Sequence, residues 1–275
     1  MLRTLLINRS KRGGLKAEEF KWRSRDVSRV EGLSDTVFGF AVTLLIVSLE
    51  VPRTSGELLE TMRGFVAFAL TFAVLFSLWY RQFIFFRRYG LEDTRAVILN
   101  GALLLFVLFF VFPFKFLAGA VVNRAMGFGK TVRLPGGRVE LAIQPVHFPL
   151  LFAIYGFGLG AIFLVFAALY YHAFTKREEL ALNPLEQYDT MESVRQFLFS
   201  ASLGVIVGLN GLALWAVRGT SSEDPVAYAF LFLEVVGIVL MLRGRATRNT
   251  RRESFLSGLT APPSPSSEHF PIHAR

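Results

Sequence analysis

Apolar residues along this chain gather in six long runs that are separated by polar connections. Each run is close to the ~20 residues that an α-helix needs to cross the ~30 Å hydrocarbon core of a bilayer. The runs cover residues 32–52, 64–86, 96–120, 148–174, 196–217 and 226–242. The pattern predicts an all-α polytopic membrane protein with six transmembrane helices.

The same pattern divides the chain into three parts. Residues 1–28 form a basic segment that precedes the first helix. The six-helix transmembrane domain is expected to cover residues 29–245. The last part, residues 246–275, is basic and rich in Pro and Ser, with little to bury, so we expect a disordered tail.

Composition supports the membrane assignment, and charge orients the chain. Hydrophobic residues make up 53% of the 275 positions and 29 of them are Phe, which exceeds what one soluble core of this length needs. Most Lys and Arg residues fall on the side of the termini, so the positive-inside rule predicts cytoplasmic termini in a multi-pass protein of the cell membrane. The net charge of +9 indicates anionic lipids on that side rather than nucleic acid, since no basic platform with interleaved aromatic residues is present.

One long external connection, residues 121–147, joins the third and fourth runs. Its segment TVRL-PGG-RVELAI alternates on both sides of a Pro-Gly-Gly turn, which predicts a short β-hairpin. The chain contains no Cys, so disulfides and thiolate metal sites are excluded.

The sequence YGFGLGA, residues 155–161, has the glycine spacing of a dinucleotide fingerprint and the GFG of a potassium-channel filter. A dinucleotide site needs a βαβ unit and a carbonyl filter needs a re-entrant loop, whereas this segment lies inside an apolar run. We therefore interpret its glycines, together with Gly204 and Gly208, as small-residue faces for close helix packing.

Enzyme chemistry has little support in the sequence. Only four His residues are present, and no run contains a Ser/His/Asp set or two His at metal-ligand spacing. We expect no enzyme activity, no cofactor and no metal site.

The first run opens with the polar sequence RVEGLSD, which begins at Arg29. Glu31, Ser34 and Asp35 form an acidic corner at one end of an otherwise apolar helix. Ionisable groups at such depth usually face other helices or a water-filled cavity, and they need partners. Arg29 or an arginine within residues 81–88 is a candidate partner. Alternatively, Ser34 and Asp35 cap the start of the helix.

The rest of this helix carries an apolar stripe. At 100° per residue, Phe40 and Val47 fall within about 20° of each other, with Thr43 and Leu44 beside them. Asp35 lies about 140° away from that stripe. The acidic corner and the apolar stripe are therefore predicted to face different surroundings.

These residues resemble the first span of the transmembrane protein 175 family, the potassium-permeable channels of endosomes and lysosomes and their bacterial relatives. Arg29, Ser34 and Asp35 match the family motif R-x-x-x-F-S-D, with Leu33 in place of its phenylalanine. The likeness continues over about the first 120 residues through Trp79 with the following RRYG, Asn100, and Pro113-Phe114. A single copy of the motif is typical of the single-repeat bacterial members.

The resemblance implies a homotetramer in which four copies of the first helix line the pore. Stacked apolar side chains narrow this pore, which has no carbonyl filter. The motif residues would tie the first helix to its neighbours instead of facing the ion path; in this chain they are Arg29, Leu33, Ser34 and Asp35.

Carried onto this chain, the family's narrowest layer falls on Phe40, and the next layers fall on Thr43, with Leu44 beside it, and on Val47. Phe40 is bulkier than the isoleucine or leucine that is usual there. Gln82 stands where relatives often carry a histidine.

We predict a potassium-permeable cation channel subunit that conducts passively, with potassium as the permeant ion. Near the external end of the first helix, four copies of Glu50 would attract cations to one mouth. Two alternatives remain, a secondary transporter built around Lys115 or Glu234, and a non-conducting membrane scaffold.

Overall fold

A computed structural model of the chain describes residues 21–24, 26–47, 52–125, 131–133, 139–141 and 144–218. All of these residues belong to one unit, Phe20–Gly237. The described residues contain five α-helices: α1 (Arg29–Val47), α2 (Ser55–Tyr89), α3 (Thr94–Ala125), α4 (Phe148–Thr175) and α5 (Pro184–Arg218).

Each of the five helices contains a stretch that is long and apolar enough to cross a membrane. The prediction of an all-α, multi-pass membrane protein is therefore confirmed for the described part of the chain. The sixth predicted run, residues 226–242, and the predicted tail, residues 246–275, lie outside the described residues.

A two-stranded antiparallel hairpin lies in the connection between α3 and α4. Its strands are β1 (Thr131–Arg133) and β2 (Val139–Leu141), with Val132 opposite Glu140. The predicted hairpin is therefore confirmed, and a 3₁₀ turn, Pro145–His147, leads from it into α4.

Helix α5 begins well before the apolar run that predicted it. The run was expected to start at residue 196, but the helix starts at Pro184. Asn183 caps it: its side-chain oxygen accepts from the Glu186 backbone N–H at 2.7 Å, and the Glu186 carboxylate accepts from the Asn183 N–H at 3.1 Å. An apolar-run criterion misses these first turns because most of their buried residues, among them Thr190, are polar.

Helices α4 and α5 pack with their backbones in close contact. A Cβ atom added at Gly204 would lie 2.7 Å from the Gly156 carbonyl oxygen and 2.8 Å from the Gly160 nitrogen. One added at Gly156 would collide with the backbone of Gly208. The predicted small-residue faces are therefore confirmed: only glycine permits this approach.

The core between the helices is rich in aromatic side chains. Phe85 and Tyr89 of α2 contact Tyr170 of α4, with ring centroids 5.2 and 5.7 Å apart. On α3, Pro113 has no N–H to donate within the helix, and its own carbonyl accepts a hydrogen bond from the Tyr155 hydroxyl at 2.7 Å. These contacts join α2, α3 and α4 across the unit.

The segment before α1, the α2–α3 turn and the α4–α5 turn meet at one end of the unit, which we call the basic end. The backbone N–H of Arg23 donates to the Arg87 carbonyl at 3.1 Å. At the same end, His172 Nε2 lies 2.8 Å from a carboxylate oxygen of Asp93. This end therefore positions the start of α1, where the motif residues lie.

Candidate ion pathway and the polar cluster behind it

Helix α1 begins with a capping box that includes Glu31, one member of the expected acidic corner. The Glu31 backbone N–H donates to the Ser28 hydroxyl at 3.1 Å, and the Glu31 carboxylate accepts from the Ser28 N–H at 3.0 Å. This exchange satisfies two backbone N–H groups at the helix start. The alternative in which Ser34 and Asp35 cap the helix is therefore wrong.

One face of α1 is buried against α2 and α3. Its buried residues recur at helical spacing, and they are Glu31, Ser34, Phe38, Ala41 and Leu45. The polar members lie near the basic end and the apolar members lie further along the helix. The charged end therefore sits at the start of α1, as the sequence indicated.

Three buried polar side chains from three helices form one hydrogen-bonded chain. Gln82 of α2 donates from its amide nitrogen to the Asn100 side-chain oxygen at 2.7 Å. Asn100 of α3 donates to the Ser34 hydroxyl at 2.9 Å, and Ser34 donates to the Val30 carbonyl at 2.7 Å. In a low-dielectric interior such a chain holds rotation as well as distance, because each bond is directional. The hydrogen bonds to α2 and α3 therefore fix the rotation of α1 about its own axis.

Asp35 lies beside this chain, at the edge of the buried face. Its carboxylate accepts a hydrogen bond from the Trp79 indole nitrogen at 2.7 Å. The arginine that approaches the acidic corner from α2 is Arg87, and it pairs with Glu31 instead of Asp35. Its Nε lies 3.7 Å from a Glu31 carboxylate oxygen. Within the described residues, Arg29 is exposed and forms no ion pair with Asp35.

The candidate pore stripe lies on the opposite, exposed side of α1. Phe40 is 58% exposed and Val47 is 73% exposed in the single chain. Thr43 is exposed as well, and Leu44 is partly covered at the border of the stripe. Leu33, the fourth motif residue, is exposed on this side. The motif residues therefore divide: Ser34 and Asp35 hydrogen-bond to side chains of other helices, whereas Arg29 and Leu33 are exposed.

The Thr43 hydroxyl donates to the Gly39 carbonyl of its own helix at 2.9 Å. Its hydrogen is thus engaged, and the oxygen lone pairs remain available to accept a donor or a cation. Along the helix, Phe40, Thr43 and Val47 cover ~10 Å at 1.5 Å per residue. This stripe is therefore mainly apolar, with one hydroxyl oxygen within it.

Two other sequence-predicted residues remain without a structural account. Glu50 and Glu234 lie outside the described residues, so the role of Glu50 at an outer mouth stays a prediction. Among the described residues, no three His, Asp or Glu side chains are grouped so that they would hold a metal ion.

The partnership of Gln82 with Asn100 was not predicted from the sequence. A signal was present, because an amide side chain inside an apolar span is costly unless it is hydrogen-bonded to a neighbouring helix. Each amide has its place in a different run, Gln82 in the second and Asn100 in the third. Pairing them would have required the packing register of the two helices.

Comparison with known proteins identifies the family. The sequence model of the family "Endosomal/lysosomal potassium channel TMEM175" matches residues 29–111. A protein of Marivirga tractuosa named potassium channel is 33% identical over 237 residues, which cover 85% of this chain and 93% of that protein. A second protein named potassium channel, from Chamaesiphon minutus, is 26% identical over 213 residues, which cover 74% of this chain and 94% of that protein.

The fold has a solved counterpart as well. The crystal structure of a single-residue variant of the potassium channel MtTMEM175, in complex with a nanobody–MBP fusion protein, aligns with a TM-score of 0.71 and 31% sequence identity. The alignment covers 86% of this chain and 100% of that chain. Because the family and these relatives are channels, the expectation that this chain is not an enzyme is confirmed. The chain is a bacterial-type member of the TMEM175 family.

Proposed function

We propose that this chain is the subunit of a potassium-permeable cation channel that conducts passively. Four copies assemble into a homotetramer, and the α1 helices line its pore. The channel lies in the cell membrane with both termini in the cytoplasm, where its basic end meets anionic lipids. The names of the relatives and the family membership support potassium as the permeant ion. The unequal distribution of Lys and Arg between the two sides of the membrane supports the orientation.

The observation that carries the proposal is the difference between the two faces of α1. One face is buried within the subunit and held by directional bonds through Ser34 and Asp35. The other face presents Phe40, Thr43 and Val47 away from the rest of the subunit. Fourfold rotation about an axis beside this face encloses a path lined by the same residues from each copy.

The chemistry of this stripe explains how a pore without a carbonyl filter conducts. Four Phe40 rings form a constriction that is too narrow and apolar for a hydrated ion, so conduction stops when water leaves it. When the rings move apart, an ion passes after shedding part of its hydration, which potassium does more readily than sodium. Four Thr43 oxygens, one turn further along, then replace part of the lost hydration.

Flux in proteoliposomes tests the proposal. Purified protein is reconstituted, a membrane potential is imposed, and potassium flux is measured with protein-free vesicles as the control. A channel gives fast passive current whose reversal potential follows the potassium gradient. Saturating flux that requires a second solute would contradict the proposal and indicate a secondary transporter. Absence of flux would indicate a non-conducting membrane scaffold.

The assembly is tested separately. Native mass spectrometry in mild detergents should give a homotetramer as the main species. A monomer or dimer in every detergent would contradict the pore, since one or two copies of an exposed stripe do not enclose a path.

A further inference from the structure

The segment that precedes α1 is fixed at the basic end by one arginine. The Arg23 guanidinium donates from Nη2 to a Glu186 carboxylate oxygen at 2.6 Å and from Nη1 to the other oxygen at 3.2 Å. Its Nε donates to the Leu180 carbonyl at 2.7 Å, and Nη2 also reaches the Ala181 carbonyl at 3.3 Å. A bidentate pair of this kind fixes direction as well as distance.

The acceptor, Glu186, is 2% exposed and is fully occupied. Besides the two bonds from Arg23, its carboxylate accepts from the Lys21 backbone N–H at 2.8 Å and from the Asn183 N–H at 3.1 Å. Four donors therefore satisfy the acceptor sites of this buried carboxylate. One side chain thus caps α5 and holds residues 21–23 against it.

The same segment covers the carboxyl-terminal end of α2. The backbone N–H groups of Arg23 and Ser24 both donate to the Arg87 carbonyl, at 3.1 and 3.4 Å. Carbonyls in the last turn of a helix lack partners within the helix, so this contact satisfies one of them. We call residues 21–24 the strap, because they bind the ends of α2 and α5 together.

The α4–α5 turn adopts a strained backbone where it meets Arg23. Ala181 has a φ of +46°, a region that residues other than glycine rarely occupy. Such a conformation persists where surrounding contacts over-determine it. Here the carbonyls of Leu180 and Ala181 both face the Arg23 guanidinium. The strained backbone of the turn is therefore held by its hydrogen bonds to Arg23 of the strap.

We propose that Arg23 and Glu186 are positioning residues for conduction: they anchor the start of α1 to the α4–α5 turn, and the strap stays bound while the pore opens. This inference rests on the proposed function, in which α1 lines the pore. Because only residues 25–28 separate the strap from α1, the anchor restricts the movement of the basic end of that helix. On opening, the part of α1 that follows its first turns and contains Phe40 moves. The strap is not released.

A reversible cross-link tests whether the strap stays bound. The chain has no Cys, so an introduced pair is the only thiol pair present. A Cβ atom added at Gly90 would lie 3.6 Å from the Ser24 Cβ, within the ~3.5–4.5 Å spacing of a disulfide. The Ser24→Cys/Gly90→Cys protein is oxidised in proteoliposomes, and its potassium current is compared before oxidation, after it, and after reduction. The Ser24→Cys and Gly90→Cys single variants control for the positive φ of Gly90.

We expect the cross-linked protein to conduct as the reduced protein does. Current that stops on oxidation and returns on reduction would overturn the proposal, because the strap would then have to move during opening. The wild-type current is the reference in every comparison. Wild-type protein without current would contradict the proposed function itself.

Substitutions test whether the anchor positions the pore. Arg23→Gln and Glu186→Gln should each lower the open probability about tenfold, and the double variant should lower it no further, because the two side chains act as one unit. Arg23→Lys should restore only part of the current, since an ammonium group does not reach three acceptors in a fork. The matched control is Glu178→Gln, at a residue of the same turn whose side chain is 91% exposed.

A measurement that does not depend on current separates positioning from folding. In the Ser24→Cys/Gly90→Cys background, Glu186→Gln should slow disulfide formation about tenfold, because the strap then detaches more often. This rate decides the anchoring even if the wild type does not conduct. The proposal fails if the rate is unchanged, or if the current falls only in proportion to the amount of tetramer.

Discussion

Two regions of this subunit hold their helices together in different ways. Between α4 and α5 one part of the contact is backbone against backbone, with Gly156 facing Gly204 and Gly208. Between α1, α2 and α3 it includes buried side-chain hydrogen bonds, which run from Gln82 through Asn100 to Ser34. Glycine contacts depend on shape alone, whereas hydrogen bonds also fix the rotation of each helix. The helix that bears the candidate pore stripe is held by the kind of contact that specifies its rotation.

The largest effect is expected where a side chain is forced into the α4–α5 contact. Gly204→Val would place atoms within 3 Å of backbone that has no room to move, so we expect a loss of about 3 kcal/mol in the free energy of unfolding. Denaturation in mixed detergent micelles, followed by circular dichroism, measures it. The control is Gly119→Val, because an added Cβ at Gly119 meets no atom within 4 Å. Equal losses for both variants would show that close packing is not what matters at Gly204.

A smaller loss is expected in the buried polar chain. Asn100→Leu removes the acceptor of the Gln82 amide and the donor to the Ser34 hydroxyl. We expect the free energy of unfolding to fall by about 2 kcal/mol. The Gln82→Leu/Asn100→Leu double variant should cost about 1 kcal/mol less than the two single losses together, because it removes both partners of one bond. The same denaturation measurement tests this cycle. Strictly additive losses would mean that the Gln82–Asn100 bond contributes nothing to stability.

The bond between Asp35 and Trp79 should contribute about 1 kcal/mol. Trp79→Phe keeps an aromatic ring in the stack with Phe76 and Phe83 but removes the indole N–H. We expect Trp79→Phe, Asp35→Ala and Asp35→Asn to impair assembly or gating while the reversal potential under a potassium/sodium gradient stays the same. A changed permeability ratio in Asp35→Asn with unchanged stability would instead place this carboxylate in the ion path.

The smallest effect on stability is expected on the exposed stripe. Phe40→Ala should change the free energy of unfolding by less than about 0.5 kcal/mol, because the ring is mainly exposed in the subunit. Its effect on current should be large: Phe40→Ala widens the constriction and weakens the potassium preference, and Phe40→Asn, which also wets it, does so more strongly. Reversal potentials and current amplitudes measure this.

The control for this prediction is Phe109→Ala, at another exposed Phe of a spanning helix. It should leave both current and ion preference as they are. If the Phe40 variants behave like this control, Phe40 is not the constriction, and the pore stripe lies elsewhere on the helix.

Much of the fold followed from local pattern. The lengths of the apolar runs predicted the five described membrane helices, and the alternation around Pro-Gly-Gly predicted the hairpin of β1 and β2. The spacing of Gly204 and Gly208 predicted a packing face. Each of these features depends on residues that are close in the sequence, so periodicity and composition contain the information.

The start of α5 shows where that information ends. Residues from Pro184 onward are helical although the segment is polar, because Asn183 and Glu186 cap the helix and Arg23 neutralises the buried carboxylate. A hydropathy pattern cannot indicate this partner, which lies in a remote part of the chain. The structure therefore shows that α5 starts at Pro184, earlier in the chain than the start of the apolar run at residue 196.

The motif residues show the same division between sequence and structure. The sequence by itself determined that α1 has an acidic corner and a separate apolar stripe, because helical geometry fixes the angle between Asp35 and Phe40. Only the tertiary structure decided that Asp35 bonds to Trp79 while Arg87 lies near Glu31. The physical reason is that a buried polar group takes the donor that the packing register brings within hydrogen-bond distance, and that register is a property of three helices together.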